Sequence, residues 1–230
     1  MITVGILDTK GIGHCPSLEA FFSKKEKERL EKTRNEKVRS LSFFSRLLLT
    51  RMYEEKKCKK LPPISYTEEG KPYFENGECS FSISHDKDLV AVVLSEEDVG
   101  IDIQSFSREK DVRENLEKRF FSGVFEDIKK YEDFDIDIVF FEVSSEKEIF
   151  SLKTCEKKLQ LGYENEENKE FLLRWTRLES MLKLVGCGFK GFKEVNNYLQ
   201  KTNFKTCFFQ HGGLLVALSV ASYKKQITNK

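Results

Sequence analysis

A carboxylate lies in a strand-like segment of this 230-residue sequence, where an acidic residue needs an explanation. The segment DVGIDIQ (residues 98–104) alternates apolar and polar residues, which places Asp102 on the face opposite Ile101 and Ile103. Strand interiors disfavour Asp. Asp102 therefore lies either on a solvated face or where its carboxylate can bind a cation.

Two further reactive groups lie in WTRLESMLK (residues 175–183), whose apolar residues form a helical stripe. Glu179 and Lys183 lie one turn apart beside that stripe. By spacing alone they form either a surface ion pair, which contributes roughly a few tenths of a kcal/mol, or a base and a cation of an active site.

Two further segments carry groups that could bind an anion. GKPYF (residues 70–74) places Lys71 in a turn, and FSISH (residues 81–85) ends a strand with Ser84 and His85. Both segments are equally compatible with ordinary structural roles, because lone histidines and Gly-Lys-Pro turns are common.

Apolar patterning predicts the elements that must position these residues. The predicted strands cover residues 2–7, 80–84, 89–94, 99–103, 136–143, 206–209 and 214–222. The predicted helices are one that begins at residue 17 and three that cover residues 41–52, 111–131 and 171–185. Helix followed by strands occurs twice, so we expect an α/β (α+β) fold of two similar halves, residues 1–105 and 106–230, each a helix packed on a small antiparallel sheet.

Composition favours a folded protein without a membrane span, a secretion signal or a cysteine metal site. With 39% hydrophobic residues the chain can bury a core, and its longest apolar run, residues 89–94, is far shorter than the roughly 20 residues that a membrane span needs. The N-terminus does not resemble a signal peptide, so we expect a cytoplasmic protein with reduced cysteines. Six scattered cysteines without a CxxC pair give no metal-site spacing.

A local positive balance predicts an anionic ligand. Residues 23–60 hold 14 Lys or Arg against 6 Asp or Glu, a balance of 14 − 6 = +8, while the whole chain has a net charge of +1. The alternative is a solvated, charge-rich helix with i,i+4 pairs. A nucleic-acid contact is disfavoured, because the sequence pI is about 7.5 and the aromatic residues of this region lie in its apolar helix.

The order and spacing of the motifs together resemble a known family. GKPYF, FSISH, VGIDIQ, RFFS (residues 119–122) and WTRLESMLK followed by GCGF resemble the 4′-phosphopantetheinyl transferases of the larger, surfactin-synthetase-activating type, over about residues 24–189. The resemblance implies a monomer of two pseudo-symmetric α/β halves. It implies transfer of the phosphopantetheine arm of coenzyme A to a serine of an apo acyl or peptidyl carrier protein, with release of adenosine 3′,5′-bisphosphate.

The resemblance also implies roles for the catalytic and metal-binding residues. Asp102 and Glu179 would hold Mg²⁺ against the coenzyme A pyrophosphate, with Gln104 where many relatives have a third acidic ligand. Glu179 would accept the proton of the attacking serine. Lys183 would contact the phosphates or assist the leaving group.

By the same resemblance, a set of polar residues would bind coenzyme A. Arg29 matches the position that contacts its 3′-phosphate. The other implied contacts are Lys71, Ser84, His85, Asp102 and Lys183.

The sequence departs from the family pattern in three places, of which Gln104 and Leu178 favour an alternative, a non-catalytic protein that binds coenzyme A or a carrier protein. Gln104 replaces an acidic ligand, Leu178 replaces the lysine that usually precedes the catalytic glutamate, and residues 133–169 form a longer stretch than usual. Against that alternative, a pure binding protein has no need of metal ligands and a base together.

Overall fold

The structure is a computed structural model. It describes residues 1–12, 22–105, 136–146, 149–155, 169–189, 203–211 and 214–222. Within these ranges the helices are α1 (Lys24–Glu31), α2 (Glu36–Lys57) and α3 (Lys169–Val185). The strands are β1 (Ile2–Asp8), β2 (Ile64–Tyr66), β3 (Pro72–Phe74), β4 (Ser80–Asp86), β5 (Leu89–Ser95), β6 (Asp98–Ser105), β7 (Ile136–Glu146), β8 (Ile149–Cys155), β9 (Asn203–His211) and β10 (Leu214–Ser222).

Two sheets and two helices form four layers. A five-stranded sheet of order β4-β5-β1-β7-β8 packs by one face against α2 and by the other against a three-stranded sheet of order β6-β10-β9. Helix α3 covers the outer face of the smaller sheet. Strand β5 is buried at every position because both of its faces are covered, which explains its continuous apolar sequence.

Neighbouring strands β4 and β6 are joined by serine side chains. Ser82 Oγ accepts a hydrogen bond from the Ile101 N–H at 3.2 Å, and Ser84 Oγ accepts one from the Ile103 N–H at the same distance. The two serines lie two residues apart, so they share one face of β4. These hydrogen bonds hold the Asp102 strand against the FSISH segment and connect the two sheets.

Helix α2 begins at an Asn35 N-cap, whose side chain accepts from the Val38 N–H at 3.2 Å, and it ends at Cys58 in a left-handed conformation. Its apolar face packs on β1 and β5. Met52 occupies the space beside Gly5 of β1, where a Cβ would collide with its sulfur. A small residue in β1 thus allows the helix to lie close to the sheet.

Helix α3 approaches β6 at Gly100, where a Cβ would clash with the Ser180 carbonyl and lie 2.5 Å from the Leu184 amide nitrogen. The contact continues through hydroxyl groups, since Ser180 Oγ lies 2.7 Å from Ser219 Oγ of β10. The backbone of α3 therefore rests directly on the strand that carries Asp102.

The sequence predictions agree with the described elements in type and place. The buried helix predicted over 41–52 extends to Glu36–Lys57, and the helix predicted over 171–185 is Lys169–Val185. Patterning missed the short strands β2 and β3, and β8 within the long stretch 133–169. Residues 13–21, where a helix was expected to begin, and residues 111–131 with RFFS lie outside the described part.

The architecture is mixed α+β, as expected for the fold class. The boundary between residues 105 and 106 stays a prediction. Pairing crosses that boundary twice, because β6 pairs with β10 and β7 pairs in parallel with β1. Among the described residues, the helices are either too short or too polar to cross a membrane.

Candidate functional site

Asp102 is the centre of a buried hydrogen-bond network, with only 1% of its surface exposed. Its Oδ1 accepts from Lys183 Nζ at 2.7 Å and from Ser84 Oγ at 3.0 Å. Its Oδ2 accepts from Gln104 Nε2 at 3.0 Å. Asp102 is therefore a buried carboxyl group held by three donors rather than a solvated strand residue.

Lys183 reaches this network from α3. Its ammonium group donates to Ser84 Oγ at 2.8 Å as well as to Asp102, while 32% of its side chain stays exposed. The network therefore joins three elements, β4, β6 and α3. Lys183 is therefore more than a surface residue one turn from Glu179, because its ammonium group pairs with the buried Asp102.

A cavity of about 460 Å³ opens over this network. Polar side chains from all three elements line it: Ser84, His85, Asp102, Gln104, Glu179 and Lys183. The structure thus brings Glu179 to the same cavity as Asp102, although the two residues lie on different elements. Neither a family model nor a curated protein matches this chain.

His85 lines the same cavity at the end of β4. Burial lowers the pKa of its imidazole, and the positive charge of Lys183 lowers the pKa further. A neutral imidazole can both donate and accept a hydrogen bond. His85 can therefore bind a polar ligand group without adding a second cation beside Lys183.

The donor set suits a hard divalent cation in its chemistry. Asp102 and Glu179 supply carboxylate oxygens, and Gln104 carries an amide oxygen, all types that Mg²⁺ accepts. Asp102 Oδ1 already binds a cationic group, the Lys183 ammonium, so the position is suited to positive charge. The described residues contain no cluster of three or more His, Cys, Asp or Glu side chains of the kind that forms an all-protein metal site.

A second cavity of about 280 Å³ adjoins the first and shares Ile83, Glu179 and Lys183 with it. Lys71 lies in its wall, but its ammonium group donates to the Leu184 carbonyl of α3 at 2.5 Å. Burial lowers the pKa of Lys71. The phosphate contact that the resemblance implies for Lys71 stays a prediction.

A third cavity, of about 340 Å³, shares Ile83 and His85 with the first. It is lined by Arg46 and Glu26, a buried ion pair that sequence analysis missed. An arginine inside the apolar run LSFFSRLLL was the available signal, since a buried guanidinium needs a partner. Arg29 lies on α1, and its side chain is outside the described part of the structure.

The structure shows no disulfide at the four cysteines whose side chains it describes, Cys58, Cys79, Cys187 and Cys207. Cys15 and the side chain of Cys155 lie outside the described residues.

Proposed function

We propose that this chain transfers the 4′-phosphopantetheine arm of coenzyme A to a serine of an apo acyl or peptidyl carrier protein and releases adenosine 3′,5′-bisphosphate. One observation carries the proposal. Ser84, His85, Asp102, Glu179 and Lys183, which come from three of the motifs that resemble the transferase family, line one cavity. A carboxylate base, a cation and a buried anion side by side are what phosphoryl transfer to a hydroxyl group needs.

In the proposed reaction, the serine oxygen of the carrier forms a bond to the phosphorus that bears the pantetheine arm. The bond from that phosphorus to the bridging oxygen of the pyrophosphate breaks, and adenosine 3′,5′-bisphosphate leaves. Glu179 accepts the serine proton. Lys183 places an ammonium group where negative charge develops on the phosphate oxygens.

Asp102, Glu179 and Gln104 are the residues that would hold Mg²⁺. Bound there, the metal would neutralise charge on the pyrophosphate and polarise the phosphorus under attack. In its absence Lys183 compensates the charge of Asp102, as the 2.7 Å ion pair indicates.

We further propose that the mixed α+β architecture is the two-half fold of these transferases, with halves 1–105 and 106–230 and a monomeric state. The repeated arrangement of one helix on one sheet, α2 on the larger sheet and α3 on the smaller, supports this. The cavity is lined by β4 and β6 of residues 1–105 and by α3 of residues 106–230, which agrees with a site between two halves.

The test is intact-mass analysis of apo carrier proteins from fatty-acid, polyketide and non-ribosomal peptide synthesis, incubated with this chain, coenzyme A and Mg²⁺. We expect at least one carrier to gain the mass of the phosphopantetheine arm. Excess chelator should prevent the gain. No gain on any carrier, or full activity in chelator, would contradict the proposal as stated.

A second candidate is a non-catalytic protein that binds coenzyme A. The hydrogen bond from the Gln104 amide to Asp102 favours it, because a Gln104 amide nitrogen that faces Asp102 turns a donor towards the metal position. The same experiment separates the two candidates when coenzyme A binding is measured beside it by calorimetry. Binding without any change in carrier mass would support the second candidate.

A further inference from the structure

Lys71 connects two parts of the chain that lie far apart in sequence. It lies in the turn between β2 and β3, where the Lys71 amide donates to Thr67 Oγ1 at 3.1 Å and the Thr67 amide donates to the Lys71 carbonyl at 2.9 Å. These two bonds fix the backbone of the turn. From there the side chain crosses to α3 and donates to the Leu184 carbonyl, 113 residues away.

The end of α3 is shaped to receive this side chain. Gly186 follows the helix with φ +81°, and its amide donates to the Leu182 carbonyl at 2.8 Å. The stem of Lys71 lies against Gly186, where an added Cβ would come within 2.6 Å of Lys71 Cδ. Glycine at this position therefore supplies both the left-handed backbone and the space for the lysine.

The Lys71 ammonium also suits its position electrostatically. The last carbonyl groups of a helix lack intrahelical partners and carry the negative end of the helix dipole. A lysine ammonium that donates to one of them stabilises the helix end. The second cavity, of about 280 Å³, is lined by residues of this turn and of α3, so the Lys71 side chain connects two of its walls.

We propose that Lys71 is a positioning residue: it anchors the C-terminal end of α3 to the β2–β3 turn and thereby fixes Glu179 and Lys183 over Asp102. The role in catalysis rests on the proposed function. The anchoring itself does not, because it follows from the contacts of Lys71 alone.

This role differs in its consequences from the phosphate contact that the sequence resemblance implies. A phosphate contact remote from the reacting phosphorus supports substrate and transition state about equally, so its loss raises KM and leaves kcat unchanged. Loss of an anchor misplaces Glu179 and Lys183, so it lowers kcat. The two roles are therefore separable in a single variant.

A tryptophan on α3 can report whether the C-terminal end of the helix is held in place. Trp175, the single tryptophan of the sequence, lies on α3 and stacks on Phe189 with ring centroids 5.6 Å apart. Phe189 follows Gly186 by three residues, so release of the helix end should disturb the stacking and expose the indole, which is now 4% exposed. Quenching of tryptophan fluorescence by acrylamide measures that exposure without any substrate.

The first variant is Lys71→Met, which keeps the aliphatic stem and removes the ammonium group. We expect the quenching constant to rise about twofold or more, as local opening of the helix end requires. In the transfer assay, kcat should fall about 10-fold or more while KM for coenzyme A changes by less than about twofold. Lys71→Arg, which restores a donor and a charge, should recover most of both losses.

Lys59→Met is the matched control among the lysines, because Lys59 also makes one hydrogen bond, to Glu78 Oε1 at 3.1 Å, but its side chain is exposed and lines none of the three cavities described above. It should leave the quenching constant and kcat unchanged. A thermal melt of each variant shows whether it folds.

If Lys71→Met does not fold, Gly186→Ala and Gly188→Ala decide the question. Both glycines have positive φ, +81° and +57°, so both variants carry backbone strain, but only at Gly186 does the new Cβ meet Lys71. The anchor predicts greater quenching for Gly186→Ala. Strain alone predicts greater quenching for Gly188→Ala, because Gly188 directly precedes Phe189.

Two results would overturn the inference. One is unchanged quenching in Lys71→Met with a raised KM and a normal kcat, which is the signature of a phosphate contact. The other is equal or greater quenching in Gly188→Ala than in Gly186→Ala. If the wild-type chain modifies no carrier protein, the proposed function fails, while the quenching measurements still decide whether Lys71 anchors α3.

Discussion

The pairs Glu26–Arg46 and Asp102–Lys183 are both buried carboxylate–cation contacts that line cavities, yet their charges are satisfied in different ways. In the first pair, one nitrogen of Arg46 lies 3.0 Å from each oxygen of Glu26. In the second, a lysine with about a third of its side chain exposed reaches a single oxygen of Asp102. The pairs differ in how easily a ligand could replace the cation.

Glu26 is surrounded by donors that hold it in one place. Besides Arg46 it accepts from Tyr66 Oη at 3.1 Å, and as part of a capping box it accepts from the Ser23 amide at 2.9 Å. These contacts tie α1 to α2 and to β2. A saturated pair of this kind specifies structure, because a ligand would have to break several bonds at once.

Asp102 is arranged differently. Its neighbours Ser84 and Gln104 are fixed on strands, but its cationic partner is a flexible lysine at the edge of an open cavity. An ammonium group is a point charge on a flexible stem, so it can leave the carboxylate for a phosphate group, and a metal ion could then take its place beside Asp102. Partial exposure of the cation, rather than burial of the carboxylate, thus distinguishes the pair of the proposed site from the Glu26–Arg46 pair.

The largest effect is expected where the structural pair is broken. Arg46→Met leaves the Glu26 carboxylate buried without its cation, which should lower the free energy of unfolding by about 3–5 kcal/mol. Urea denaturation measures this, with the exposed pair variant Lys59→Met as a control that should barely differ from the wild type. A variant Arg46→Met as stable as the control would remove the distinction between the two pairs.

The second-largest effect is expected on turnover when Glu179, which lines the same cavity as Asp102 and Lys183, is changed. Glu179→Gln preserves size and helix propensity, so the fold should persist. Turnover of carrier protein should nevertheless fall by about 100-fold or more, the usual scale for loss of a general base. Intact-mass kinetics measure turnover, and a thermal melt measures whether the variant folds. Near-normal turnover would show that Glu179 is not the general base.

Lys183→Met tests the exchangeable cation directly. Transfer should slow by about 10-fold or more, because the ammonium that stabilises developing charge is lost. The loss of unfolding free energy should be smaller than in Arg46→Met, because Asp102 keeps Ser84 and Gln104 as donors and borders an open cavity. If Lys183→Met destabilises the protein as much as Arg46→Met does, both pairs are structural.

The smallest effect is expected at Gln104. Gln104→Glu places a second carboxylate beside Asp102, and a divalent cation would relieve the repulsion between them. Calorimetry should show Mg²⁺ binding that is several-fold tighter, with transfer retained. Weaker Mg²⁺ binding in this variant would count against a metal position between Asp102 and Glu179.

Local patterning was sufficient to predict much of the fold. Alternation identified β6, short apolar runs identified β4 and β5, and apolar helical segments identified α2 and α3. The strands β2 and β3 were not predicted, because three residues are too few to show a period. Patterning also placed Asp102 on a defined face of β6 before any contact was known.

The partners within the site were decided by the tertiary structure. Spacing placed Lys183 one turn from Glu179, and the structure joins Lys183 to Asp102, 81 residues away, which spacing could not predict. Lys71 and Leu184, or Glu26 and Arg46, are likewise brought together by packing between elements.

The sequence by itself therefore determined the elements and the chemical types available, because period and propensity act over a few residues. Only the tertiary structure decided which groups meet. That outcome depends on the serine contacts between β4 and β6, and on the absence of a side chain at Gly100, which lets α3 rest on β6. These are contacts between distant segments, and the period of a single segment carries no information about its neighbours.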